Sequence, residues 1–573
     1  MGEPSAVIER AEGELLECAV EASRADWVYS TYVNDDTEAL SSRANARLMD
    51  RTVAYAKELA RGSVDGAGPE VARKTRLLRV SLSLVAPSGP GDAERLAALV
   101  ARMQGHYAKG KFPITGRPEP LNLEALSQIL ALSSRPAELE EAWTAWHRVG
   151  ETMKGDFTQY VALTNRGARE LDFADTGAMW RSRYDMEADA FAAEIERLWG
   201  EVRPLYVSLH TYVRRRLRER YGDSIVPERG PIPVHLLGNM WGQTWDNLSS
   251  WIAPAGSEPG YDLTKILTAR HTCPLDMVRY AEQFFVSLGL DPLPETFWQR
   301  SMFARPADRE VVCHASAWDV DYVDDLRIKM CIEITAEDFQ VVHHELGHNY
   351  YQRAYARQPF LFRESAHDGF HEAVGDTIAL SITPEYLVKI GLLDALPSSE
   401  GDIGRLLRTA LTSIAFLPFG LAVDRWRWKV FSGEIEPSRY TSSWWEMRER
   451  YQGVRPPGAR TESTFDPGAK YHVPANVPYM RYFLAQILQY QFHRALARSI
   501  GAKGPLHQVS IYGHPEAGAR LGQMLSMGAS REWPDALDAI TGERSMSGRG
   551  ILEYFQPLQK WLDEQNRGQP AGW

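Results

Sequence analysis

The segment 341-VVHHELGHNYY-351 holds three histidines and a glutamate within six residues. His344 and His348 are four apart, so on a helix both imidazoles share one face and reach one Zn²⁺ at ~2.0–2.1 Å. Glu345 points about 100° around the helix from His344. It can reach a metal-bound water without being a ligand. His343 stands outside this H-E-x-x-H pattern, points away from that metal, and is assigned a structural or surface role.

A catalytic zinc takes three protein ligands and leaves the fourth position to water. The downstream segment 369-GFHEAVGDTIALS-381 supplies the third. Glu372, 24 residues after His348, completes a His₂Glu set. Asp376 follows one turn later on the same face, where it accepts the outer N–H of a ligand imidazole and fixes its tautomer. Taken alone, the two acids read as a satisfied pair on a buried helix; the upstream motif favours the ligand reading. Together these parts describe a reaction. Zinc lowers the pKa of its water and polarises a carbonyl, while Glu345 takes the water's proton and passes it to a leaving amine. The resulting oxyanion needs further donors. Amide hydrolysis is the reaction that uses all of them.

The elements that must carry these residues are mostly helical. Segments 7–33, 121–134, 138–153 and 190–222 show apolar residues at helical spacing with charges opposite. The motif helix is predicted over 336–356. Before it, Ile328, Met330, Ile332 and Ile334 alternate with Lys329, Cys331 and Glu333, which predicts a half-buried strand. The run 309-REVVCHASAWDV-320 is also strand-like, and 321-DYVDD-325 turns the chain between them, giving a small hairpin beside the metal helix. SGPGDAE, ITGRPEP, GPIPV and VRPPGARTEST read as loops. No internal repeat or low-complexity linker is present.

The bulk composition fits a soluble globular body: 573 residues, 44% apolar and 24% charged. A net charge of −11 argues against general binding to a phosphate backbone, so no nucleic-acid partner is expected. No run of 18 apolar residues occurs, so neither a transmembrane helix nor a membrane anchor is expected. The N-terminus is acidic and lacks the apolar core of a signal peptide. Four cysteines are too few for a disulfide scaffold, and their spacing does not say which pair.

The sequence resembles the angiotensin-converting enzyme family, zinc peptidyl-dipeptidases with bacterial members. The resemblance lies in VVHHELGHNYY, GFHEAVGD, VVCHASAWD and KYHVPANVPYMRYF, in order, with GPIPVHLLGNMWGQTW, AFLPFGLAVDRWRW, SRYTSSWWEMRERYQG and YFQPLQKWL. It runs from about residue 105 to the end; the first hundred residues match only as helical pattern. It implies a mainly α zinc-peptidase fold, with two lobes around a deep central cleft. Residues 1–573 then form one peptidase domain, with 1–105 an N-terminal helical lid layer and 106–573 the catalytic body.

Carried over position by position, the resemblance makes His344, His348 and Glu372 the zinc ligands, Glu345 the base and Asp376 the partner of a ligand histidine. It makes His472 and Tyr482 the oxyanion donors. It places His314, Ala315 and Ala317 against the peptide, which suits backbone pairing to a strand edge. Gln243, Lys470 and Tyr479 match the group that holds the substrate's C-terminal carboxylate. A branch that trims single residues has Arg at the Gln243 position, so Gln243 and Lys470 favour release of a dipeptide. Chloride activation is implied at two places, one with Arg481 and Tyr221, the other with Arg181, Trp444 and Arg448. Cys313 and Cys331 match a family disulfide; other common bridges are missing, which suits a bacterial relative. The expected partners are oligopeptide substrates, the expected state a monomer, and the expected location extracytoplasmic, periplasmic or secreted, with the signal absent from this sequence. The alternatives are a helical zinc oligopeptidase, a single-residue carboxypeptidase, or an inactive peptide-binding relative.

Overall fold

A computed structural model describes residues 3–61, 66–257 and 260–573. The fold is mainly α, and the sheets among the described residues are two-stranded. The helices used below are α1 (Pro4–Thr31), α2 (Asp35–Ala60), α3 (Pro69–Val80), α4 (Asp92–Lys109), α5 (Lys154–Arg169), α6 (Ala188–Tyr221), α7 (Ala336–Tyr355), α8 (Asp368–Leu380), α9 (Asp402–Ser432), α10 (Tyr440–Gln452) and α11 (Met480–Ser499). The strands are β1 (Ile232–Pro233), β2 (Ser316–Asp319), β3 (Leu326–Lys329) and β4 (Val454–Arg455).

Side-chain caps set several helix starts by satisfying orphan backbone donors. Asn34 accepts from the N–H groups of Asp36 and Thr37, and the Thr37 hydroxyl accepts from Asn34 N–H. Thr335 opens α7 by accepting from Asp338 N–H, and His367 opens α8 by accepting from Gly369 N–H. Both helices of the predicted metal site therefore begin where their own sequence stops them.

Helices α1 to α3 share a small apolar cluster of Val7, Ile8, Ala11, Leu15, Tyr55, Leu59 and Leu78. In α4, by contrast, Leu96, Leu99, Met103 and Tyr107 join the main core, and α4 packs on α5. The small cluster of α1 to α3 thus stands beside the main core, which α4 joins. Helix α6 runs for 34 residues, which at 1.5 Å per residue is about 50 Å. The segment Ser399–Ser432, which contains α9, is long and apolar enough by composition to cross a bilayer, yet 78% of its most apolar window is buried inside the protein. Its hydropathy serves core packing, and its buried charges Asp424 and Arg427 pair with each other.

β2 and β3 form the expected antiparallel hairpin, in register Ser316↔Lys329 to Asp319↔Leu326. The Asp321 carboxylate closes its turn by accepting from the N–H groups of Val323, Asp324 and Asp325. The ladder stops earlier than the alternation over 326–335 predicts. Met330 and Ile332 donate instead to the carbonyls of Met302 and Phe303. Lys329 also departs from the alternation: it is buried, and its ammonium donates to the carbonyls of Val312 and His314, each 2.6 Å away. A disulfide joins Cys313 to Cys331 across the open end of the hairpin. GPIPV and VRPPGARTEST, read as loops, each contribute two residues to a parallel β1–β4 pair.

Helices α7 and α8 cross at two glycines. A Cβ on Gly347 would lie 2.9 Å from Gly375 Cα, and one on Gly375 would lie 2.6 Å from His344 Nδ1. On its other side α8 packs closely on α11, where a Cβ on Gly369 would lie 3.0 Å from Leu484 Cβ. Three helices that carry the predicted chemistry are therefore stacked side by side.

Candidate active site

The glycine crossing brings the H-E-x-x-H face of α7 onto the acidic face of α8. His344 Nε2 and His348 Nε2 are 3.0 Å apart, and His344 Nε2 is 3.8 Å from Glu372 Oε2. One donor atom from each of His344, His348 and Glu372 lies within 4.8 Å of the others. Tetrahedral zinc with bonds of ~2.0–2.2 Å needs donors about 3–4 Å apart, and two imidazoles with one carboxylate is a donor set it accepts. The three residues fit the ion.

The outer nitrogens of both rings are held. His344 Nδ1 is 3.0 Å from Asp376 Oδ1, so its proton sits on Nδ1 and leaves Nε2 to ligate. His348 Nδ1 is 2.8 Å from His371 Nδ1, and His371 Nε2 faces the Tyr355 hydroxyl at 3.3 Å. Burial lowers the His371 pKa and keeps the ring neutral, so its Nδ1 accepts from His348. His371 was not singled out in the sequence, although the need of the second ligand for an outer acceptor, and a histidine beside Glu372, were both visible. His343 is buried; it contacts the Phe339 carbonyl at 2.7 Å and the Tyr386 hydroxyl at 2.9 Å, away from the ligand nitrogens.

Glu345 is buried, and desolvation raises its pKa, opposed by the charges of His344, His314 and Lys329 and by the backbone N–H of Ala317. A raised carboxylate pKa makes a better proton acceptor near neutral pH. Glu345 and His344 line a cavity of about 570 Å³ together with His314 and Ala315 of the hairpin. His314 is exposed, with its Nδ1 2.8 Å from the Ala315 carbonyl.

The segment 470–483 delivers a second group of residues. His472, Tyr479 and Tyr482 form one aromatic cluster, with centroids 4.7 Å apart for His472–Tyr479 and 5.0 Å for Tyr479–Tyr482. Glu372 lies close enough to Tyr482 to raise its hydroxyl pKa, adding to the larger effect of burial. Burial depresses His472 to about 3, so the ring is neutral, and its buried Nδ1 lacks a hydrogen-bond partner among the described residues. Lys470 donates to Gln243 Oε1 at 2.6 Å, and the Tyr479 hydroxyl reaches the same oxygen at 3.5 Å. The Lys470 ammonium lies 4.2 Å above the Trp241 ring and pairs with no carboxylate among the described residues. Desolvation alone pulls its pKa down to about 7.

A buried ion pair on α9 pins this segment. Arg427 pairs with Asp424 and donates to the carbonyls of His472 (2.9 Å) and Val477 (2.7 Å). Asp424 Oδ2 accepts from the N–H groups of Tyr479 and Met480, each at 2.7 Å. Neither residue stood out in the sequence; the signal was a charged pair inside an otherwise apolar run.

The anion residues are not gathered as expected. Arg481 lies 3.2 Å from Asp368 at the start of α8, and the tyrosine beside that carboxylate is Tyr184. Tyr184 stacks on Phe191 near the first turn of α6, whereas Tyr221 is the last residue of that helix, about 45 Å further along its axis. Tyr221 is therefore not a partner of Arg481. Arg448 is buried over the Phe419 and Trp444 rings and donates to Gln452 and to the Trp241 carbonyl. Arg181 lies over Trp428 instead. Trp428 and Phe419 are nine residues apart on α9, roughly 13 Å along its axis, so Arg181 does not complete a trio with Trp444 and Arg448.

Comparison with known proteins extends the resemblance to the whole chain. A family model described as angiotensin-converting enzyme matches residues 3–573, including the N-terminal hundred that had matched only as helical pattern. Angiotensin-converting enzyme from Bos taurus is 42% identical over 567 residues, covering 96% of this chain and 43% of the relative. That from Mus musculus is 46% identical over 511 residues, covering 87% and 39%. That from the leech Theromyzon tessulatum is 38% identical over 552 residues, covering 95% and 89%. The chain thus spans about two fifths of the mammalian relatives and most of the leech one.

If His371 orients His348, removing its acceptor loosens the metal. His371→Leu is expected to bind zinc roughly 10–100-fold more weakly in competition with a chelator. His371→Asn, which keeps an acceptor near the Nδ1 position, should lose less. Equal affinities for wild type and His371→Leu would refute the role.

Proposed function

Because the chain belongs to the angiotensin-converting enzyme family of peptidases, we propose that it is a zinc peptidase that releases dipeptides from the free C-terminus of oligopeptides. The observation that carries this reading is Lys470: a buried ammonium with an amide and a phenol beside it and, among the described residues, no carboxylate partner. Burying an uncompensated cation is costly, and a substrate carboxylate supplies the missing partner.

His344, His348 and Glu372 would hold the zinc, which when bound acidifies a water and polarises the scissile carbonyl. Glu345 takes the proton of the attacking water as the C–O bond forms, and then delivers it to the amine nitrogen as the C–N bond breaks. The His472 ring N–H and the Tyr482 hydroxyl donate to the oxyanion that develops between these events. Neutral His472 keeps a ring N–H for this donation. Ala317 on the edge of β2, with Ala315 just before it, pairs with the extended peptide upstream. Lys470, Gln243 and Tyr479 fix the C-terminus and set the length of the released piece. Chloride is placed at Arg448, whose buried guanidinium burial pulls down to about 9 and which forms no ion pair among the described residues. The Cys313–Cys331 bridge supports an extracytoplasmic location.

Product analysis on an N-blocked tripeptide tests the reading. Release of an intact C-terminal dipeptide is expected; single amino acids, or cleavage only of internal bonds in longer peptides, would contradict it.

The Lys470 ammonium also sets a pH dependence. As pH rises through about 7 the free enzyme loses the charge that binds the carboxylate, so kcat/KM for a free-acid peptide should fall. A bound carboxylate restores the charge, so kcat should hold to higher pH. The peptide amide should lack this fall in kcat/KM, and parallel profiles for acid and amide would exclude Lys470 as the receptor.

A further inference from the structure

Asp368 and Arg481 form a largely buried ion pair, with side chains 12% and 24% exposed, to which the mechanism above gives no role. Asp368 is the first residue of α8, one turn before Glu372, and Arg481 is the second residue of α11, next to Tyr482. Their charged groups are 3.2 Å apart, and among the described residues each is the other's ion-pair partner. Both Asp368 oxygens and Arg481 Nε are buried without a well-formed hydrogen bond, so the mutual charge is the main compensation on either side. The Tyr184 hydroxyl, Arg183 and His367 complete the surroundings of the carboxylate. Burial opposes the charge on Arg481, but Asp368 outweighs it and holds the guanidinium charged. The contact ties the first turn of α8 to the first turn of α11. These helices carry Glu372 and Tyr482 respectively.

We propose that Asp368 is a built-in counter-ion that positions Arg481, and through it Tyr482, at its working distance from Glu372. The anion expected at Arg481 is thus supplied by the chain itself. Asp368 is a positioning residue; it touches neither the substrate nor the reacting atoms. A cavity of about 710 Å³, lined by Arg183, His367, Asp368, Glu372 and Arg481, gives small solutes access to the pair. The role in turnover rests on the peptidase reading, whereas the ion pair does not.

Removing one partner of a buried pair leaves a charge without compensation, and a small carboxylate can then enter the space left behind. The test compares wild type, Asp368→Ala and Asp368→Asn in chloride-free buffer over a formate titration. It follows kcat and KM on a blocked tripeptide, and the thermal midpoint. Asp368→Ala is expected to lose roughly tenfold to hundredfold in kcat with a smaller change in KM, as displaced catalytic groups do. Formate should restore kcat saturably and raise the midpoint of this variant, by binding the folded state. Wild type should respond to formate in neither readout, beyond any anion effect shared by all three proteins. Asp368→Asn keeps the packing and fills the space, so it should lose kcat without rescue. Full activity in Asp368→Asn, or a folded Asp368→Ala whose kcat and midpoint ignore formate, would overturn the proposal. If Asp368→Ala does not fold, Asp368→Asn decides. Wild type without turnover would refute the peptidase reading only, because the midpoint titration still reads the ion pair.

Discussion

The site depends on how closely α7 and α8 approach. At the crossing, Gly347 and Gly375 leave no room for a Cβ on either helix. Packing of helices with ordinary side chains holds their axes about 8–10 Å apart, and small residues allow a closer pass. That approach lets two imidazoles from one helix and a carboxylate from the other converge within the span of one ion. It also sets Asp376 against His344, and His371 against His348, so the contact that gathers the ligands also orients their rings. Layers of this kind are needed because a ligand nitrogen aimed wrongly is lost to the metal.

The other half of the site hangs from α9. Its buried Asp424–Arg427 pair makes four hydrogen bonds to the backbone of the segment that carries His472 and Tyr479. A buried ion pair contributes little net stability by itself, but here it fixes an irregular segment whose backbone polar groups would otherwise lack partners. Lys470 shows the opposite arrangement: a buried charge without a counter-ion among the described residues, kept in place by a ring face and an amide oxygen. The charges that build the scaffold are thus paired, whereas the Lys470 ammonium, the proposed carboxylate receptor, has no ion-pair partner among the described residues.

What was legible in the sequence follows the range of the interactions. His344, His348 and Asp376 could be placed because i,i+4 geometry is local to one helix. The hairpin could be placed because its alternation is local too. Lys329 broke that alternation because carbonyls from the preceding segment, not water, receive its ammonium. His371 was missed because, unlike Asp376, it is not one helical turn from Glu372, so spacing did not put it on the ligand face; Asp424 and Arg427 were missed because their partners lie some fifty residues away. Tyr221 was paired with Arg481 for a related reason: a motif match does not show that α6 carries Tyr221 about 45 Å along its axis from Phe191, on which Tyr184 stacks. The boundary of the N-terminal layer depends on which core α4 joins, and an amphipathic pattern does not specify that.

The measurement that bears most directly on this account is zinc affinity in Gly375→Ala, read by chelator competition alongside far-ultraviolet circular dichroism. The added methyl would meet His344 Nδ1 at 2.6 Å and the His344 carbonyl at 2.8 Å, so α7 and α8 must separate or the ring must turn. The expected result is a helical, folded protein whose zinc binding is weaker by at least about tenfold, the scale seen when a ligand loses its orientation. Wild-type zinc affinity in folded Gly375→Ala would show that the close crossing does not gather the ligands, and would contradict the account.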